Sequence, residues 1–280
     1  SHTMTRPLRD EYLEVQGLRL HYLDGGQPAG PPLLMVHGLT REAHSFDPVI
    51  ALLGGRYRCL AVDIRGRGGS AWGPPEGYTL GQYTDDVLAF LNALGLGAVH
   101  YLGTSMGGII AMALAAREPQ RFLSLALNDI GPEVADGGSA RIQSHLANIP
   151  ALFASYEDAL AYETNRFPWL ADRPRAVVEA QYRHMIVREA DGRCRFHYDP
   201  AIRLGRAVTP AARDAQRARS WQGFRALACP LLLIRGAQSD LLSLETVERM
   251  RAAQPRLQVV EVPGVGHAPA LSEPEASAAL

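Results

Sequence analysis

Gly103-Thr104-Ser105-Met106-Gly107 joins a strand-like run, Ala98–Thr104, to a small-residue helical run, Met106–Arg117. A chain that turns from strand to helix within one residue strains that residue and crowds its neighbours. Glycines at 103 and 107 remove the side chains that would clash. Ser105 then stands at the tip, above the free N–H groups and positive dipole end of a helix. A hydroxyl is a poor nucleophile until a base takes its proton. The candidate base is His267, in Val265-Gly266-His267-Ala268-Pro269, just after the last strand-like run. An imidazole base needs a carboxylate to fix its tautomer. Asp240 follows the run Cys229–Arg235, in Gly236-Ala237-Gln238-Ser239-Asp240. The order Ser105, Asp240, His267 and this place after a late strand match the usual arrangement for such a nucleophile. Asp129, which closes Leu127-Asn128-Asp129 before Gly131-Pro132, is the rival and reads as a loop-shaping residue. The developing oxyanion needs fixed donors. These are expected from the backbone N–H groups of Met106 and of Leu39, in the loop His37-Gly38-Leu39-Thr40. The His37 side chain is expected to hold that loop by a hydrogen bond. The resulting chemistry is acyl transfer to water, with no metal or organic cofactor.

These residues must be positioned by strands and helices in alternation. Glu11–Gln16 and Leu18–Asp24 read as a hairpin around Gly17. Pro32–His37, Tyr57–Asp63, Ala98–Thr104, Phe122–Asn128, Cys229–Arg235 and Leu257–Val262 are apolar runs of the kind buried in a parallel sheet. Leu80–Leu94 carries a helical apolar stripe stopped by Gly95, and Met106–Arg117 and Ser243–Ala253 are further helices. A C-terminal helix is expected from Ala268. The alternation predicts an α/β fold: a mostly parallel eight-stranded sheet with helices on both faces. Functional groups gather at the carboxyl ends of such strands, where Ser105, Asp240, His267 and Leu39 all fall. Residues 132–227 lack a β period and are rich in arginine and aromatics. They read as a helical cap inserted into a core of residues 1–131 and 228–280. Phe153, Phe167, Trp169 and Trp221 are its candidate pocket residues, each equally explained as the insertion's own core.

The chain has 280 residues, 47% of them hydrophobic, enough for a sizeable core. All 28 basic residues are arginine, which excludes a lysine nucleophile, a Schiff base or a P-loop lysine. A formal net charge of -1 implies neither nucleic acid nor an anionic membrane as partner. Cys59, Cys194 and Cys229 have neither disulfide nor metal-ligand spacing. Residues 1–3, ahead of Met4, read as an expression scar. No signal core or membrane-length run follows, so a cytoplasmic location is expected.

His37-Gly38, Asp63–Ser70 (DIRGRGGS), Gly103–Gly107, Gly236–Asp240 and Gly266-His267 occur in this order. Together they resemble the α/β-hydrolase superfamily, in its serine-nucleophile branch, over essentially the whole length. The nearest likeness is to capped esterases and hydrolases of aromatic ring-cleavage products. The resemblance implies Ser105 as nucleophile, Asp240 as acid, His267 as base and oxyanion donors at Leu39 and Met106. A serine at the nucleophile position speaks against haloalkane dehalogenases and epoxide hydrolases. The oxyanion loop lacks the glycine-rich run of many lipases and ring-cleavage hydrolases. The expected partners are a small or medium carboxylic ester and water. The alternatives are carbon–carbon hydrolysis of a vinylogous diketone gripped by cap arginines such as Arg166, Arg183 or Arg188, a lyase or cofactor-free oxygenase, and a ligand-binding receptor. Arg41 reads as a solvated loop residue.

Overall fold

The computed structural model describes residues 6–204 and 208–280. The expected scar at residues 1–3 lies outside the described residues. In chain order, β1 (Arg6–Val15) and β2 (Leu18–Gly26) form the hairpin, and β3 (Pro32–Val36) follows. Then come α1 (Asp47–Leu53), β4 (Arg58–Val62), α2 (Leu80–Ala93), β5 (Val99–Thr104), α3 (Met106–Arg117) and β6 (Phe122–Asn128). The next segment holds α4 (Asp136–Asn148), α5 (Tyr156–Thr164), α6 (Arg175–Tyr182), β7 (Ile186–Arg188), β8 (Cys194–Phe196) and α7 (Pro210–Ala226). The chain closes with β9 (Leu231–Gly236), α8 (Leu244–Ala253), β10 (Gln258–Val262) and α9 (Pro274–Ala279).

The main sheet has eight strands in the order β1-β2-β4-β3-β5-β6-β9-β10. The pairs β1–β2 and β2–β4 are antiparallel and the rest are parallel. Successive side chains point to opposite faces, and both faces are apolar. Leu34, Val36, Leu60 and Val62 face the layer containing α2, α3 and α7. Their neighbours Leu33, Met35, Cys59 and Ala61 face α1 and α9. Local chemistry sets the helix ends. The Thr79 and Ser243 side chains accept from the N–H groups of Gln82 and Thr246 at the starts of α2 and α8. Gly95 stops α2 with φ +69°.

Three features depart from the sequence expectations. First, α7 leaves the inserted segment for the core: Trp221 and Phe224 are buried in the main core, and a side chain at Gly223 would collide with the Met112 carbonyl of α3. The elements over the carboxyl edge are therefore α4 to α6 and the β7–β8 hairpin. Second, that hairpin is β structure where only helix was expected. Third, the last helix begins at Pro274, which takes its first helical position, because Pro269 interrupts the preceding loop Ala268–Glu273. Among the described residues, no helix is long and apolar enough to cross a membrane.

Candidate active site

The turn after β5 has the strain its sequence implies. Ser105 has φ 51° and ψ −114°, a conformation that side chains other than glycine rarely adopt. A side chain at Gly103 would meet the Gly107–Gly108 backbone at 2.6 Å, and one at Gly107 would strike the Val36 carbonyl of β3. The two glycines let α3 start against the strands. Ser105 Oγ lies 2.9 Å from His267 Nε2. The His267 loop is tied to the same turn, because Asn128 Nδ2 donates to Pro269 O at 3.0 Å and to Thr104 Oγ1 at 3.2 Å.

His267 Nδ1 lies 2.6 Å from Asp129 Oδ2. The Asp129 side chain is fully buried and also accepts from Gly236 N at 2.8 Å and Ser239 Oγ at 2.7 Å. A carboxylate only accepts, so His267 carries its proton on Nδ1, and Nε2 presents a lone pair to the Ser105 hydroxyl. The expectation that Asp240 orients the histidine is therefore corrected. The Asp240 carboxylate is 42% exposed and takes two hydrogen bonds from Arg141, at 2.5 and 2.9 Å. Those bonds hold its pKa below the usual carboxylate value against partial burial. The physical reason is lateral strand order. β6 is hydrogen-bonded directly to β5, whereas β9 lies one strand further out. A carboxylate at the end of β6 is thus about 4.8 Å nearer the nucleophile strand. Ser239, rather than Asp240, turns inward from the loop after β9.

The loop after β3 is held from its carbonyl side. His37 is fully buried; its Nε2 accepts from Ile64 N at 3.0 Å, and its Nδ1 donates to Gly38 O at 2.7 Å. Burial pushes its pKa down to about 4, so the ring is neutral, as this donor–acceptor pair requires. Gly38 O also accepts from Arg41 N at 3.2 Å. That carbonyl shares a peptide with the Leu39 N–H, so both bonds fix the direction of the expected donor. Gly38 lies against the nucleophile: a Cβ there would sit 3.6 Å from Ser105 Cβ. Met106 is the first residue of α3, where helix geometry leaves its N–H without an intrahelical acceptor.

A residue that sequence reasoning passed over underlies both. Arg67 is fully buried; its Nε donates to Leu39 O at 2.9 Å, its Nη1 to Arg65 O at 3.1 Å, and its Nη2 lies 3.8 Å from Met106 Sδ. Its guanidinium stacks 4.7 Å from the Tyr83 ring centroid. The pocket in front of Ser105 is closed by Leu39, Arg41 and Ser45 from the core and by α4 to α6. Of the four expected aromatics, Phe167 and Trp169 line it. Phe153 packs with Tyr162 and Phe196 inside the cap, and Trp221 lies in the core, donating to Glu133. Of the three cap arginines, Arg166 lines the pocket while Arg183 and Arg188 are exposed elsewhere.

Away from Ser105, His44, Asp47 and His184 bring potential metal ligands together. The two imidazoles stack 3.7 Å apart at 12°. Ring-nitrogen lone pairs lie in the ring planes, so nearly parallel stacked rings do not aim two nitrogens at one ion. The arrangement is a contact between core and cap.

Residues 31–274 match the family described as the alpha/beta hydrolase fold, and the chain belongs to that family. It is similar to a 3-hydroxybutyrate-oligomer hydrolase of Cupriavidus necator: 39% identity over 262 residues, 91% of this chain and 89% of that one. It is also similar to a 2-(acetamidomethylene)succinate hydrolase of Mesorhizobium japonicum: 28% identity over 245 residues, 85% and 82% of the two chains. The crystal structure of an alpha/beta hydrolase from Novosphingobium aromaticivorans superposes with a TM-score of 0.87 at 34% identity, covering 98% of this chain and 96% of that one.

Proposed function

From that family membership we propose that the chain is a serine hydrolase cleaving a small to medium carboxylic ester through an acyl-enzyme intermediate. Ser105 is the nucleophile, His267 the base and Asp129 the carboxylate that orients the base. The observation carrying this reading is the unbroken line Ser105 Oγ, His267 Nε2, His267 Nδ1 and Asp129 Oδ2, at 2.9 and 2.6 Å, on a strained strand-to-helix turn.

Ser105 attacks the ester carbonyl as its proton moves to His267 Nε2. Asp129 stabilises the imidazolium, and the Leu39 and Met106 N–H groups receive the oxyanion. The imidazolium then protonates the departing alkoxide. Water, deprotonated by the same nitrogen, attacks the acyl-enzyme and releases the acid and Ser105. Ester chemistry is favoured by likeness to the oligomer hydrolase, since an oligomer of a hydroxy acid is joined by ester bonds.

The test is a p-nitrophenyl ester series from acetate to palmitate with the parent protein and Ser105→Ala. Multiple turnovers that peak at one acyl length and vanish in the variant are the expected result. A folded protein that stops after one acylation, or turns over no ester, would overturn the reading in favour of a receptor or a carbon–carbon hydrolase.

A further inference from the structure

Three arginines, Arg41, Arg141 and Arg166, line the pocket in front of Ser105. Two of them have carboxylates of their own. Arg141 pairs with Asp240, and Arg166 donates to both oxygens of the buried Glu163 at 3.0 Å. Arg41 pairs with none among the described residues. Its Nη2 donates to Gln181 O at 3.0 Å and its Nε to Ser45 Oγ at 3.4 Å. Both acceptors are neutral. The nearest acid in sequence, Glu42, turns its carboxylate to its own turn and accepts from His44 N at 2.8 Å.

One face of the Arg41 guanidinium covers the Tyr182 ring, 4.6 Å from its centroid. Stacking and these bonds fix its plane and leave the rest of its five N–H donors for a ligand. A half-buried cation at a pocket wall is costly unless an anion meets it. A strut between oxyanion loop and cap would need no charge. A planar fork held beside the loop that receives the reacting carbonyl matches a carboxylate, which such a fork binds by two parallel hydrogen bonds.

We propose that Arg41 is the anion-recognition group of this pocket and that the substrate is an ester bearing a free carboxylate, held by Arg41 while its ester carbonyl lies at Ser105. The proposal rests on the ester-hydrolase reading and adds a substrate class to it. Charge-assisted hydrogen bonds of this kind are worth about 10- to 100-fold in affinity.

The experiment follows acid release from monomethyl adipate and from methyl heptanoate, a neutral ester of similar length. The parent should prefer the anionic ester. Arg41→Gln should lower that preference about 10- to 100-fold, mainly through KM, and Arg41→Lys, which keeps charge without the fork, should restore part of it. An unchanged preference in Arg41→Gln, with both esters slowed together, would make Arg41 a strut and overturn the proposal. A second readout needs no turnover: adipate should raise the Tm of Ser105→Ala but not of Ser105→Ala/Arg41→Gln. If neither ester is cleaved, the ester reading fails; the adipate shift then decides Arg41 alone, and its absence overturns the anion site too.

Discussion

Asp129→Asn separates the two carboxylates that compete for His267. Asparagine fits the site: Asp129 has φ 56°, a left-handed conformation that asparagine tolerates better than most residues. Its amide oxygen can replace one carboxylate oxygen but not both. Gly236 N–H, 2.8 Å from Oδ1, is a backbone donor that cannot turn away, so it keeps the oxygen. The amide nitrogen then faces Ser239 and His267. The Ser239 hydroxyl can rotate to accept. His267 Nδ1 can accept only by giving up its proton, which moves to Nε2 and removes the lone pair that takes the Ser105 proton. Loss of the correct tautomer costs about 10⁴ in turnover, or about 5 kcal/mol of barrier. Asp240→Asn removes an exposed pair with Arg141, worth at most about 1 kcal/mol, and should change turnover less than about threefold. Steady-state kinetics on one p-nitrophenyl ester, with circular dichroism to establish folding, measures both. A thousandfold loss in Asp240→Asn, with a tenth or more of the activity left in Asp129→Asn, would refute the reasoning.

Other substitutions probe the support of the site. Arg67→Met keeps the bulk but releases Leu39 O and Arg65 O. It should lower kcat about tenfold with a smaller change in KM, because the loop carrying the proposed oxyanion donor Leu39 loses its anchor; equal kcat would show the loop holds without it. Glu42 is pushed up to about 7 by burial, then by repulsion from Asp63. Because the folded pKa lies above the unfolded value near 4.5, the stability that Glu42 contributes is fully present below about pH 4.5 and is lost as pH climbs through 7. Glu42→Gln should therefore gain on the parent between those values, by about 3 kcal/mol at most, in urea unfolding at pH 4.5 and 8; an equal difference at both pH values would contradict this. Gly107→Ala drives a methyl group into the Val36 carbonyl. It should lower stability by about 3 kcal/mol or more and reduce Tm.

The core strands, α2 and α3 were readable because alternating burial and helical periodicity are properties of one segment at a time. The contact between Ser105 and His267 was anticipated for the same reason: glycines flank the serine, and the histidine follows the last strand. The carboxylate that meets His267 was not. Chain order and place after a late strand pointed to Asp240, but which strand lies beside β5 is a property of the assembled sheet. The cap hairpin did leave a signal, since Asp191-Gly192 is a turn pair and Gly192 has φ +88°, but its strands of three residues are too short to show a period. Arg41 and Glu163 reach the pocket only through the packing of α5 and α6 over the core, which no local pattern encodes.

The segment DIRGRGGS resisted a functional reading because it contributes support to the site through other residues. Asp63 accepts from Ala43 N at 2.7 Å, Gly69 N at 2.8 Å and His21 Nδ1 at 2.6 Å. Those bonds, together with His21, outweigh the cost of burial and keep its pKa low. Arg65 forms a buried two-point pair with Asp86 of α2, at 2.6 and 2.9 Å. With its ends fixed, the same loop offers Ile64 N–H to His37 and the Arg67 guanidinium to Leu39 O. Its other side binds the cap: Gly68 N donates to His197 O at 2.9 Å, and Asp199 N to Gly66 O at 2.7 Å. The loop after β3, which carries the proposed oxyanion donor, and the segment after β8 therefore rest on one short, tightly bonded turn. Preorganised donors stabilise a transition state only if they need not reorganise when charge develops. The buried charges Asp63, Arg65, Arg67 and Asp86 and a neutral His37 supply that rigidity, which explains why so many polar groups are buried where no substrate reaches.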